Sequence, residues 1–411
     1  MTDKKLVLAV LALSAATRCL ALDSLACYGE LQQSHVLFRT GARSPLGNYS
    51  GDPFPAEMWG GVWGALTPTG QEDMWNLGSY LRMRYDQFLS PKYDSGELLA
   101  RAYEQDRDIL SATYVAKGLY PANTSPGQFL HVFWQDVPVH TVAKEIDLLL
   151  PDGRSPCPAF QAELDRVNRS AEYQAFKREA AGLEKYVARL SGGKAPDYIY
   201  DIFATKLFHG LPMPVWAADI FPDRLRIYSA ANLFFHVACT PALRRMYVGK
   251  LIQKMITGME GQIKCYPDHQ TKVFLYGGHG STIVALLSAM DVWRGDMPNF
   301  SACVMVELRR NKNHHYVVTV SYKNDTTQPA QVLHLPGCSS VACPFPEFAA
   351  LLASQMFDPV ECAGSPPPPP PPCVHCGGSL PPPCAHCAGS LPPPQLLNPM
   401  AVHTTPIWSN A

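Results

Sequence analysis

The stretch "KVFLYGGHGSTIVALLSAM", residues 272–290, leaves few folds open. Its first part, "VFLYGG", is a short apolar run of the kind that forms a strand buried on both faces. Its second part, "STIVALLSAM", has the length and composition of a buried helix. A buried strand that runs straight into a helix is the repeating unit of a parallel α/β sheet. His279 and Gly280 fall at the turn between the two, which in such a sheet is the ligand-binding edge. A second apolar run, "SHVLF" (34–38), ends at Arg39 and repeats the pattern.

The other segments extend this sheet. "TPTGQEDMWNLGSYLRMRYDQFL" reads as a helix, with Thr69 and Glu72 as a capping box and Met74, Leu77, Leu81, Tyr85 and Phe88 on one face. "ELLARAY" (97–103) reads as a strand, and a second helix opens near Arg107. "ACVMVELRR" and "HYVVTVSY" flank "NKNH" as a β-hairpin. Between residues 131 and 240 helical periodicity dominates and no buried strand is evident. The expected fold is a three-layer α/β/α core, residues 28–130 and 241–362, with an inserted α-helical cap, residues 131–240, over the strand ends.

The N-terminus places Lys4 and Lys5 before the apolar run Leu6 to Ala16, with a cleavage point at Ala21. That run is shorter than the ~20 residues a bilayer span needs, so residues 1–21 read as a signal peptide. Thirteen cysteines and five N-x-S/T sequons, at Asn48, Asn123, Asn168, Asn299 and Asn324, agree with a secreted, lumenal or lysosomal glycoprotein. The 34 basic and 35 acidic residues argue against nucleic acid or an anionic membrane as partner. No second apolar stretch is long enough to anchor the chain in a membrane. Residues 363–411 hold seven consecutive prolines and the repeats "CVHCGGSLPPP" and "CAHCAGSLPPP". Such a tail reads as extended or disordered; its Cys and His spacing closes no zinc fold, so no metal is expected.

Anion-binding chemistry concentrates at two strand ends. Arg39–Thr40–Gly41–Ala42–Arg43 follows the first strand and His279 follows the "VFLYGG" strand. Guanidinium forks bind phosphate or carboxylate bidentately, and glycine lets backbone approach a ligand. Arg107, at the start of a helix, adds a third guanidinium beside a helix N-terminus.

These residues carry a resemblance. "FRTGARSP" resembles the strand-end motif R-H-G-x-R-x-P of the histidine acid phosphatases, in their prostatic and lysosomal branch. "LTPTGQEDMWNLGSYLRMRY", "SGELLARAYEQDRDILSA", "LPMPVW", "YGGHGSTIVAL" and "LPGCSSVACP" are similar to family segments, from about residue 30 to 362. The resemblance implies phosphate monoester hydrolysis without a cofactor: a histidine attacks phosphorus, arginines and a second histidine hold the phosphoryl oxygens, and an aspartate protonates the leaving alcohol. It assigns phosphate contacts to Arg39, Arg43, Arg107 and His279. It also implies disulfides Cys157–Cys362 and Cys338–Cys343. A third family bridge meets Cys303 at one end and Thr205 at the other, which leaves the pairing of Cys27, Cys239, Cys265 and Cys303 open. Family members are often homodimers.

Two positions depart from the family. The nucleophilic histidine falls on Thr40 and the general acid on Gly280. A threonine hydroxyl needs an adjacent base to attack, and glycine has no proton to give. Losing general acid catalysis alone costs about 10²–10⁴-fold. Ser281 and Thr282, next to His279, read as helix-capping residues, and no G-x-S-x-G elbow offers a serine nucleophile. Three readings stand: an impaired phosphatase homologue that keeps a pocket for a small phosphate-bearing or anionic ligand, an active acid phosphatase with an unusual nucleophile, and a secreted interaction or scaffold protein with a vestigial pocket.

Overall fold

The strand Glu30–Arg39 (β1) is buried on both faces from Gln33 to Phe38, ending in the apolar run Val36, Leu37 and Phe38, and the protein is built outward from it. In the computed structural model, which describes residues 25–121, 135–153, 155–266 and 271–363, β1 lies inside an eight-stranded sheet. The other strands are Leu98–Ala102 (β2), Val139–His140 (β3), Val273–Gly278 (β4), Cys303–Arg310 (β5), Tyr316–Lys323 (β6), Gln331–Leu333 (β7) and Cys343–Pro344 (β8). Their order is β3-β2-β4-β1-β5-β6-β7, with β8 paired to β6. The strands from β3 to β1 run parallel, whereas β5, β6 and β7 continue as an antiparallel meander.

Side-chain alternation gives the sheet two buried faces. Val36 and Phe38 of β1, with Leu275 of β4 and Ala100 of β2, pack against the helices Pro68–Arg84 (α1) and Asp106–Leu119 (α2). Leu37, Phe274, Tyr276 and Val304 face the helices Pro241–Ile263 (α7) and Gly280–Ala289 (α8) on the other side. The fold is therefore the three-layer α/β/α arrangement expected of a strand buried on both faces. Before α7 come Pro158–Asn168 (α3), Ala171–Ser191 (α4), Pro196–Phe208 (α5) and Asp223–Val237 (α6). Helices α4, α5 and α6 form a separate core around Phe176, Leu183, Ile199, Phe203 and Leu225, which Tyr49 joins from the loop after β1. Two short helices, Phe345–Ala353 (α9) and Pro359–Ala363 (α10), close the described chain.

Three local expectations need correction. The N-cap of α1 is Thr67, not Thr69: its hydroxyl accepts the Gly70 N–H and Pro68 takes the first helical position, where its missing N–H costs nothing. Thr69 and Glu72 have capping-box spacing but lie inside the helix. Val139–His140 pairs with β2, so the sheet's edge strand falls inside the stretch 131–240 assigned to helix; two residues are too few to show alternation. Ser281 and Thr282 do not cap α8, whose N-cap is His279 without a side-chain capping bond.

Cys157–Cys362 and Cys338–Cys343 are formed, the first tying α3 to α10. Cys303 is a buried thiol, pushed up to about 12 by burial and so poorly reactive, and Cys265 is an exposed thiol. Among the described residues no helix is long and apolar enough to cross a membrane. The expected signal peptide, the sequon at Asn123 and the proline and cysteine repeats lie outside the described residues.

Candidate oxyanion site

Parallel pairing brings three strand ends to one edge of the sheet. Arg39 of β1 stands opposite Gly278 of β4, and Ala102 of β2 stands opposite Gly277. The residues that follow these strands share one crevice, at the switch between the parallel and antiparallel halves. From β1 come Arg39, Thr40 and Arg43; from β2, through the turn into α2, come Arg107 and Asp108; from β4 comes His279. The four residues to which the family resemblance assigns phosphate contacts thus follow three different strands.

The loop after β1 is pinned by α1. Arg43 bridges to Leu66, the Ser44 N–H reaches the Ala65 carbonyl at 2.8 Å, and Thr67 donates to the Ala42 carbonyl through both its N–H and its hydroxyl, at 3.0 Å each. Gly70 is required beneath it, because a Cβ there would stand 1.9 Å from the Ala42 carbonyl oxygen. Thr40, 4% exposed, is carried by this loop into the interior.

Two of the three arginines are hydrogen-bonded within the protein. Arg39 lies over the Phe300 ring, 4.4 Å from its centroid, and donates to the Pro298 carbonyl. Burial, with the nearby Arg43, lowers Arg39 to about 10, so it stays cationic through the acid and neutral range. Arg43 grips Asp201 of α5 as a fork, with contacts of 2.5 and 3.2 Å. Burial alone would raise Asp201, but the Arg43 charge and hydrogen bonds outweigh it and hold the carboxyl below its ordinary value. Arg107 Nε lies 3.9 Å from Asp108 and, among the described residues, is buried without a hydrogen-bond partner.

His279 stands between two carboxyl groups. Its Nδ1 is 3.7 Å from Asp108 and its Nε2 is 3.6 Å from Asp152, both beyond hydrogen-bond length. Burial, countered by Asp152 and reinforced by Arg107, Arg39 and Arg43, lowers His279 to about 4. Asp108 is fully buried, and burial raises it to about 8 in spite of Arg107. Neither acid was marked from sequence, nor was Asp201. The available signals were the tripeptide "DRD" at Asp106–Asp108 and a lone acid in the apolar run "YIYDIF".

Gly280 opens α8 beside Arg39. A Cβ there would be 3.6 Å from Arg39 Cδ and 3.8 Å from Pro298, ordinary contacts, so the backbone at this position accepts a Cβ without a clash. Ser281 accepts a hydrogen bond from the Tyr247 hydroxyl at 2.8 Å, and the Thr282 hydroxyl is buried without a hydrogen-bond partner among the described residues. Beside Arg39 a cavity of about 870 Å³ runs between α5, α6 and the loops at 297–300 and 324–326. Three sequon asparagines, Asn168, Asn299 and Asn324, line it. Asn48 and Asn299 are exposed; Asn168 and Asn324 are half-buried, and Asn324 accepts hydrogen bonds from the Asn299 N–H and the Tyr322 hydroxyl.

The fold is thus a mixed α/β sheet that gathers three arginines and a histidine beyond its parallel strand ends. The chain belongs to the histidine phosphatase superfamily (branch 2), which residues 30–323 match. It is 30% identical to lysosomal acid phosphatase of Xenopus laevis over 79% of this chain and 76% of that protein. It is 30% identical to human prostatic acid phosphatase over 79% of this chain and 85% of that protein. Among solved structures it is similar to the phytase of Citrobacter braakii, with a TM-score of 0.60 at 18% identity, covering 81% of this chain and 99% of that one. The last likeness concerns the fold alone.

Proposed function

We propose that this protein is a catalytically impaired acid phosphatase homologue that binds a phosphate-bearing or other small anionic ligand in the crevice between Arg39, Arg43, Arg107 and His279. The homologous enzymes are acid phosphatases, and the observation that carries the reading is the pairing of a kept contact set with two lost reactive positions. Thr40 is buried in the nucleophile's place by the family resemblance, and Gly280 stands in the acid's place, where a Cβ would make only ordinary contacts. His279, lowered to about 4 chiefly by burial, is neutral at most working pH values and suits a hydrogen bond to an anion better than a charge contact. The cavity lined by Arg39 and Asp201 gives the body of a ligand held at Arg39 a place to lie. Homologues named lysosomal or prostatic, with the sequence reading of the N-terminus, support a secreted or lumenal setting.

The test is p-nitrophenyl phosphate hydrolysis at acidic pH by the native protein and by a Thr40→His, Gly280→Asp double variant, with inorganic phosphate binding measured on both. Expected are phosphate binding by the native protein, no turnover by it, and turnover by the double variant. Native turnover comparable to the variant's would favour the active enzyme reading instead. Absence of phosphate binding would favour an interaction protein with a vestigial pocket.

A further inference from the structure

The polar atoms of this crevice are unevenly satisfied. Arg39 and Arg43 have partners within the protein, whereas Arg107 Nε, both carboxyl oxygens of Asp108 and His279 Nε2 are buried with no hydrogen-bond partner among the described residues. Asp108 is the unusual member, since its side chain is entirely shielded from solvent. A buried carboxylate without a hydrogen bond is strongly disfavoured, and the guanidinium 3.9 Å away is too distant to supply one. The neutral acid is the form such a site holds. A neutral acid carries an O–H, and His279 Nδ1, 3.7 Å away, is too far to accept it. An O–H, an N–H of Arg107 and a ring nitrogen of His279 are thus left unpaired by the described residues, converging from three elements.

We propose that Asp108 is a hydrogen-bond donor of the oxyanion pocket, presenting a protonated carboxyl to an oxygen of the bound anion. This rests on the anion-binding reading above and adds a residue and a proton to it. Losing that proton removes the donor and sets a negative charge against the ligand, so affinity falls as Asp108 ionises. The groups that face Asp108 are Arg107 on its own helix, Arg43 from the loop after β1, Tyr103 from the end of β2, Asp152 from the segment before α3 and His279 at the head of α8. His279 at about 4 and Tyr103, raised above 10.0 chiefly by burial, do not change charge between pH 6 and 9. Asp108, raised by burial to about 8, does.

The experiment is calorimetric titration of the full-length protein with sulfate, an oxyanion whose own charge is constant over this range. Affinity in the native protein is expected to be about tenfold weaker at pH 9 than at pH 7, following the protonated fraction of Asp108. In Asp108→Asn the amide keeps an N–H donor and cannot ionise, so affinity at pH 7 is retained and the decline to pH 9 disappears. A flat native profile, or the same decline in Asp108→Asn, overturns the assignment while leaving the anion site standing. No sulfate binding at pH 6 by the native protein overturns the anion site itself, and the assignment with it. Should Asp108→Asn not fold, infrared spectra of the native protein decide. A protonated carboxyl band at pH 6 that shifts on sulfate addition supports the donor, and a band that does not move refutes it.

Discussion

At the scale of single residues, the site is a balance of opposed charges rather than a nest of free arginines. Arg43 faces Asp201 at 2.5 Å, which changes what a substitution at Arg43 means. Arg43→Ala would strand the Asp201 carboxylate in the crevice and repel an anion whether or not Arg43 ever touches one. Asp201→Asn is the cleaner probe. Removing that negative charge frees half of the Arg43 fork and should tighten sulfate binding at pH 7 by about tenfold, or about 1.4 kcal/mol. It should also lower the melting temperature, because breaking one side of a largely buried ion pair leaves the other uncompensated. Affinity unchanged or weaker, by titration calorimetry, would mean that Asp201 positions Arg43 rather than competing for it. The arginines and His279 were legible in the sequence because motif and strand end coincide there. Their carboxyl partners were not, since Asp201 is 158 residues from Arg43 and only the packing of α5 onto the crevice brings them together.

At the scale of elements, the crevice is held open by how closely α1 and α2 pack. Gly78 of α1 and Gly118 of α2 cross in contact: a Cβ on Gly78 would meet the Val115 carbonyl oxygen at 2.1 Å, and one on Gly118 the Trp75 carbonyl oxygen at 2.1 Å. Helix α1 carries Thr67, which pins the loop bearing Arg43, and α2 carries Arg107 and Asp108 in its first turn. Forcing the helices apart therefore separates two halves of one site. Gly118→Ala replaces an approach that no backbone atom can yield cheaply. It should destabilise the protein by about 1–3 kcal/mol, as overpacking does, and weaken sulfate binding several-fold. Thermal unfolding and calorimetry check the two effects, and a fall in stability with affinity unchanged would show that the crossing does not position Arg107. The helices themselves could be read from apolar spacing and helix-start residues. Their separation could not, because glycine inside an amphipathic pattern looks the same whether it faces solvent or another backbone.

At the scale of the whole molecule, three strongly displaced groups set how stability responds to pH. His35, stacked on Phe274 and Tyr276, is lowered to about 3 chiefly by burial, and His279 is lowered to about 4 in the same way. Both are depressed from 6.5, so between about pH 4 and 6.5 the unfolded chain binds more protons at these sites and folding is favoured by raising the pH. Asp108 acts in the opposite sense. Its folded value of about 8 lies above its ordinary 3.8, so its contribution is complete below pH 3.8 and is lost as pH rises to 8. From pH 4.5 to 6.5 two histidines outweigh one aspartate, and stability should climb by about 1.4 kcal/mol per pH unit. From 6.5 to 8 only Asp108 is left, and stability should fall at about the same rate. Chemical denaturation across this range should find a maximum near pH 6.5. In Asp108→Asn the alkaline limb should flatten, and the variant should gain on the native protein steadily from pH 4 to 8. A native maximum at pH 8 or above would mean that Asp108 is ionised in the folded protein, and that the crevice is charged differently from what its unpaired carboxyl implies.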